Sequence, residues 1–127
     1  MAHWLMGSAG VSGLLAVAIG AFGAHGLKAK LSPEMMAVYN TGVQYHFYHT
    51  LALLALALYV AATAPSRFLG LGGLCFLAGI VGFSGSLYWL ALGGPKWLGP
   101  VTPLGGLCFM AGWLMIFAHA LKQHKPI

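Results

Sequence analysis

Acidic side chains are nearly missing from this sequence: Glu34 stands alone against six Lys and Arg in 127 residues, and charged residues make up 6% of the chain. A soluble domain carries about 25% charged residues, so this composition excludes an ordinary water-facing surface. A single carboxylate also excludes, within one protomer, the paired acids of glycosidic chemistry. Cysteine is scarce too. Cys75 and Cys108 have neither the CxxC nor the CxxCH spacing, which removes a thioredoxin-like dithiol and a c-type haem attachment. No GxSxG, P-loop, HExxH or Rossmann pattern is present, and the glycine-rich GAFGAHG at 20–26 ends an apolar run instead of following a strand, so it fails the context test for a phosphate loop. The formal charge of +5 would suggest nucleic acid in a soluble protein. Here the cations lie singly or in pairs near the ends of apolar segments, where they anchor helices among headgroups, and no nucleic-acid partner is expected.

What is abundant is apolar sequence, 60% of the residues. Stretches long enough to cross a bilayer as helices, about 20 residues, occur at about 4–25, 43–63, 68–92 and 103–121. The expectation is an all-α integral membrane protein: one antiparallel four-transmembrane-helix bundle over residues 1–127, with the lipid bilayer as its surroundings. The first span is expected to be retained, because its leading residues hold no Lys or Arg and its apolar stretch exceeds the 7–15 residues of a signal peptide.

Turn chemistry marks the boundaries. Ser32-Pro33-Glu34 supplies an N-cap, a proline suited to the first helical position and an acid for the positive end of the helix dipole. Thr102-Pro103 repeats the signal for the fourth span, Pro65-Ser66 separates the second from the third, and Gly93-Gly94-Pro95 closes the third. A helix from Pro33 to Thr63 would be about 45 Å long, against about 30 Å of hydrocarbon. The first turns are therefore expected to form an interfacial helical segment, or to tilt and kink near Gly42. That reading puts QYHFYHT, residues 44–50, just inside the headgroups.

LGGLCFLAG at 71–79 returns as LGGLCFMAG at 104–112. Antiparallel neighbours would start these copies from opposite membrane faces, the relation seen in inverted-repeat transporters, although a shared need for a small-residue packing face explains it more simply. The same geometry keeps Cys75 and Cys108 too far apart for a disulfide. Within lipid, helices associate where small residues recur at every fourth position, and such stripes run through Ser8, Ser12, Ala16, Gly20 and Ala24, through Ala78, Gly82 and Ser86, and through Gly105, Cys108 and Gly112.

Sorting the polar residues by membrane face gives a one-sided distribution. His25, Glu34, Asn40, Gln44, His46, His49, Thr50, Ser84, Ser86, Tyr88 and Thr102 fall toward the face where the second span begins. The other half holds Ser8 and Ser12, with Arg67, His119, Lys122, His124 and Lys125 at its rim. Ionisable groups inside a membrane are costly and tend to face the bundle interior or a wet cavity. His46 and His49 are about 60° apart around a helix, and His25 is expected to approach them. Three imidazoles suit metal or haem ligation or proton exchange; a hydrogen-bonded structural role competes with all three, and no metal or cofactor is assigned. Glu34 is read as a capping residue.

GAFGAHGL at 20–27, QYHFYHTLALL at 44–54, FSGSLY at 83–88 and TPLGG at 102–106 together resemble the small bacterial inner-membrane proteins of the YgdD type, a domain-of-unknown-function family with eukaryotic transmembrane relatives. The resemblance implies a four-helix integral membrane protein in a bacterial inner membrane and carries no known activity. Its motifs fall on His25, Gln44, His49, Ser84, Ser86, Tyr88, Thr102 and Pro103.

Three functions follow as expectations. The first is a non-enzymatic accessory or structural membrane protein, a homo-oligomer or a subunit of a larger membrane complex. The second is a small proton or solute channel or transporter lined by the polar cluster, and the third is a metal- or haem-binding redox module. Orientation is nearly balanced, with Arg67, Lys122 and Lys125 on the side of the termini against Lys28, Lys30 and Lys96 opposite; both termini are expected on the cytoplasmic side.

Overall fold

The Ser32 signal does start a helix in the computed structural model, which describes residues 1–123 and so leaves His124 and Lys125 outside. The Ser32 hydroxyl accepts a hydrogen bond from the Met35 amide at 3.1 Å, with Pro33 in the first turn beside Glu34. Four helices are long and apolar enough to cross a membrane: α1, Ala2–Leu27; α2, Pro33–Ala62; α3, Arg67–Ala91; and α4, Leu98–Gln123. Their outward faces are apolar as well, with Val11, Leu14, Val81, Leu114 and Phe117 all more than half exposed. Such surface suits lipid and not water.

α2 continues through Gly42 as one α-helix from Pro33 to Ala62, its first turns continuous with the second span. Glycine is needed there for contact, because a Cβ would meet the Tyr88 ring at 2.8 Å. α4 begins at Leu98, four residues before Thr102, and carries Pro103 inside its second turn. The proline removes one backbone hydrogen bond so near the helix start that the helix continues. Thr102 does not cap; its hydroxyl donates back to the Leu98 carbonyl at 3.3 Å. Wider π-helical turns occur at Gly23–Leu27, ending α1, and at Ile80–Gly85 within α3.

Contacts fix the register of the antiparallel pairs. From α1 to α2, Gly13 faces Thr50, Gly20 faces Val43 and Gly23 faces Tyr39. From α3 to α4, Gly72 faces Met115, Gly79 faces Phe109 and Gly82 faces Gly105. The two copies of the LGGLCF repeat are thus packed against each other. Phe76 covers Gly112, and its counterpart Phe109 covers Gly79, so each copy supplies both a knob and a hole. This reciprocal seam accounts for the repeat as packing, where small residues let backbones approach.

The stripe on α1 is partly corrected. Its inward residues are Leu5, Ala9, Ser12, Ala16, Gly23 and Leu27, whereas Ala24 is exposed and Ser8 only half-buried. Steps of four advance about 40° past a full turn each, so a strict every-fourth stripe winds off the contact face. On α3, Ala78 is likewise exposed and Gly79 takes the inward place. Ser12, Ala16, Gly82, Gly105 and Gly112 do lie at helix contacts, as does Gly20 beside Val43. Cys75 and Cys108 are free thiols, both half-buried.

Candidate functional site

With α2 unbroken, His46, His49 and Thr50 lie near the middle of its 30 residues. They stand level with Gly13 of α1 and with the Phe76 and Phe109 knobs of α3 and α4. The histidines are at mid-height of the bundle, not just inside the headgroups. At that depth there is no bulk water, so each ring nitrogen needs a partner from the protein.

His46 is 3% exposed. Its Nδ1 pairs with the Tyr88 hydroxyl at 2.9 Å and its Nε2 with Ser12 Oγ at 3.0 Å, and Ser12 Oγ pairs in turn with Thr50 Oγ1 at 2.6 Å. This four-member chain joins α1, α2 and α3. Small side chains allow it, since Gly13 lies against Thr50 and so lets α1 come close to α2.

His49 points to another side. Its Nδ1 lies 2.7 Å from the Tyr45 carbonyl and its Nε2 accepts from the Trp113 indole N–H at 3.1 Å. A carbonyl only accepts and an indole N–H only donates, which fixes a neutral ring protonated on Nδ1. The imidazole is stacked on Phe109 with centroids 3.6 Å apart and planes 9° from parallel, and Phe76 meets it edge-on at 5.3 Å. His49 therefore sits on the reciprocal Phe76–Phe109 seam and ties α2 to α4.

The remaining expected site residues divide. Ser84 is fully buried, and its hydroxyl donates to the Gly42 carbonyl at 2.7 Å. Ser86 bonds the Phe83 carbonyl at 2.9 Å and Thr102 Oγ1 at 2.6 Å. These join α3 to α2 and to α4 without entering the histidine network. His25 is exposed on the π-turn ending α1, and Gln44 is exposed with its amide on Tyr48 at 2.6 Å. The three-histidine set is thus not assembled, and among the described residues no three of His, Cys, Asp and Glu converge.

Sequence reasoning assigned no part to Trp113 and placed Ser12 in the other polar half. It also left His119 at the rim, whereas the structure buries this ring between Ser66 Oγ, 2.9 Å from Nδ1, and the Tyr59 hydroxyl, 3.4 Å from Nε2. The signal for His119 was available: it is the one His, Lys, Arg, Asp or Glu between 104 and 121. A groove of about 550 Å³ between α1 and α3, walled by Trp4, Val11, Leu77 and Val81, reaches Ser12 and His46 from the lipid side.

Comparison with known proteins agrees with this architecture. The family described as Protein of unknown function (DUF423) matches residues 19–106. UPF0382 membrane protein YwdK of Bacillus subtilis is 46% identical, over 88% of this chain and 91% of the relative. UPF0382 membrane protein SERP0230 of Staphylococcus epidermidis is 44% identical, over 88% and 90%. UPF0382 inner membrane protein YgdD of Escherichia coli is 42% identical, over 90% and 86%. No solved structure matches. With four apolar helices and relatives of this kind on either count, the chain is a membrane protein that belongs to the DUF423 family.

Proposed function

We propose that the protein is a non-enzymatic accessory membrane subunit whose buried polar residues fasten its own helices together. One observation carries the reading: among the described residues no buried side-chain nitrogen or oxygen lacks a hydrogen-bond partner. Both His46 and His49 spend both ring nitrogens on neighbours in the chain, and those neighbours lie on other helices or on the backbone of α2. Protonating His49 would set a second N–H against the Trp113 indole, which makes the ring a poor relay. Partners for such a subunit are a second copy or other proteins of the same membrane.

In reconstituted liposomes, the purified chain is expected to give no proton flux above protein-free vesicles at any pH from 5 to 8, and His49→Gln to leave that baseline unchanged. Flux in the wild type that His49→Gln or His46→Gln abolishes, with the variant still folded, overturns the reading in favour of a proton pathway. Native mass measurement from mildly solubilised membranes supplies the second arm, with the chain expected in a stoichiometric assembly and not as a lone protomer.

We place both termini in the cytoplasm: Arg67, Lys122 and Lys125 balance Lys28, Lys30 and Lys96, and Glu34 on the opposite side tips the balance of charge toward the side of the termini. Single cysteines introduced at Lys28 and Lys122 are expected to label oppositely with an impermeant maleimide in intact cells, Lys28→Cys reacting and Lys122→Cys not. The reverse pattern inverts the topology.

A further inference from the structure

At the end of the bundle where α2 stops and α3 begins, a polar cavity of about 340 Å³ is lined by Ser66, Arg67, Phe68, His119 and Lys122. Lys122 Nζ is held 5.4 Å over the Phe68 ring, a cation–π contact that keeps the ammonium at the cavity. The chain's one side-chain carboxylate, Glu34, lies at the other end of α2, about 45 Å away at helical rise. No acidic side chain therefore neutralises Arg67 and Lys122. The carbonyl ends of α2 and α4 meet the amino end of α3 here, so the two cations, not the helix dipoles, set the sign.

A second cavity, of about 360 Å³, runs between α2 and α4 and is walled by Ala52, Ala55, Leu56, Trp113 and Ile116. It is apolar, and it shares Tyr59, His119 and Gln123 with the cationic one. His119, braced by Ser66 and Tyr59, stands where the two meet. The groove follows α4 from Gln123 to Trp113, about 15 Å at helical rise.

A cationic mouth at a span end that opens into an apolar groove along the span matches one kind of molecule. We propose that this end of the bundle binds a single anionic phospholipid, its phosphate between Arg67 and Lys122 with Ser66 as a hydroxyl partner, and one acyl chain in the α2–α4 groove past His119. The inference goes beyond the accessory role and does not depend on it. The two walls divide the work, with charge selecting the headgroup and the groove selecting a chain-bearing ligand.

The test is native mass spectrometry of the protein released from nanodiscs of phosphatidylcholine doped with phosphatidylglycerol. The wild type is expected to retain one phosphatidylglycerol in preference to phosphatidylcholine. Arg67→Gln and Lys122→Gln should each weaken that retention about fivefold, the usual worth of one cation near an anionic leaflet, and Arg67→Lys should restore most of it. Lys28→Gln and Lys96→Gln, which remove equal charge at the opposite end, should not weaken it. Ala55→Trp, filling the groove, should weaken retention with both cations intact, and glycerol 3-phosphate should fail to displace the lipid. Equal retention of both lipids, or equal losses from Lys28→Gln and Lys96→Gln, overturns the site. Displacement by glycerol 3-phosphate reassigns it to soluble phosphates. Indifference to Ala55→Trp removes the acyl-chain assignment. Unchanged melting of the Gln variants in pure phosphatidylcholine shows that any loss is one of binding.

Discussion

Replacing Gly105 by alanine is expected to cost about 3 kcal/mol, at the top of the usual range for overpacking, the largest effect of any single methyl group in this chain. A Cβ at Gly105 would overlap the backbone of Gly82 and Phe83. Backbone cannot rotate aside as a side chain does, so α3 and α4 must separate. That separation loosens the whole reciprocal seam, since Phe76 over Gly112 and Phe109 over Gly79 belong to the same two helices. The nearest atoms that Gly79→Ala meets belong to the Phe109 ring and not to backbone, but that ring is clamped under His49, so an intermediate loss is expected. Gly10→Ala meets nothing within 4 Å and should be neutral or stabilising by up to ~1 kcal/mol, the helix-propensity difference alone. Unfolding free energies of the three variants in mixed micelles of increasing denaturing-detergent fraction give the ranking. A Gly105→Ala protein within ~0.5 kcal/mol of the wild type would sink the argument.

Why some of this was legible and some not is a matter of range. Span number, the Ser32 start and the presence of a small-residue seam depend on residues close in sequence, and they were read correctly. Gly42 is different. Whether a glycine in a helix marks a bend or a contact depends on what lies against it, here Tyr88 from another helix, and a second span begun at residue 43 sets the histidines near the headgroups, whereas they stand at mid-height of a helix that begins at Pro33. Face sorting has a related blind spot, because it assigns depth and says nothing of direction around the axis. His25 and Gln44 are on the expected half yet turned outward, while Gly23 and His46, two positions away from each, face in. Ser12 was divided from its partners by a line drawn through the middle of the span, which is where its hydroxyl meets Thr50 and His46. Trp113 escaped because an indole N–H is hidden inside an apolar run, and only His49, 64 residues before it, shows what that N–H is for.

Replacing His49 by leucine is expected to destabilise the protein by about 2–4 kcal/mol, against under ~0.5 kcal/mol for His25→Leu, whose side chain is exposed and outside the network. Two losses make up the larger figure. The Trp113 N–H is left without an acceptor at a depth where no water replaces it, roughly 1–3 kcal/mol, and the flat contact with Phe109 is lost, about 0.5–1.5 kcal/mol. The Tyr45 carbonyl loses little, since it belongs to the α2 backbone ladder. His46→Leu should cost less, because Ser12 and Thr50 keep each other at 2.6 Å and Tyr88 alone is orphaned. The decisive comparison is His49→Phe with and without Trp113→Phe. Phenylalanine at 49 keeps an aromatic face against Phe109 but still strands the indole; removing the indole as well takes away both polar partners, which is close to neutral when shape is kept. The double variant should therefore be more stable than His49→Phe alone by about 1–2 kcal/mol. If Trp113→Phe instead makes His49→Phe worse, shape and not the hydrogen bond holds α2 to α4, and the central role given to His49 in fastening the bundle fails.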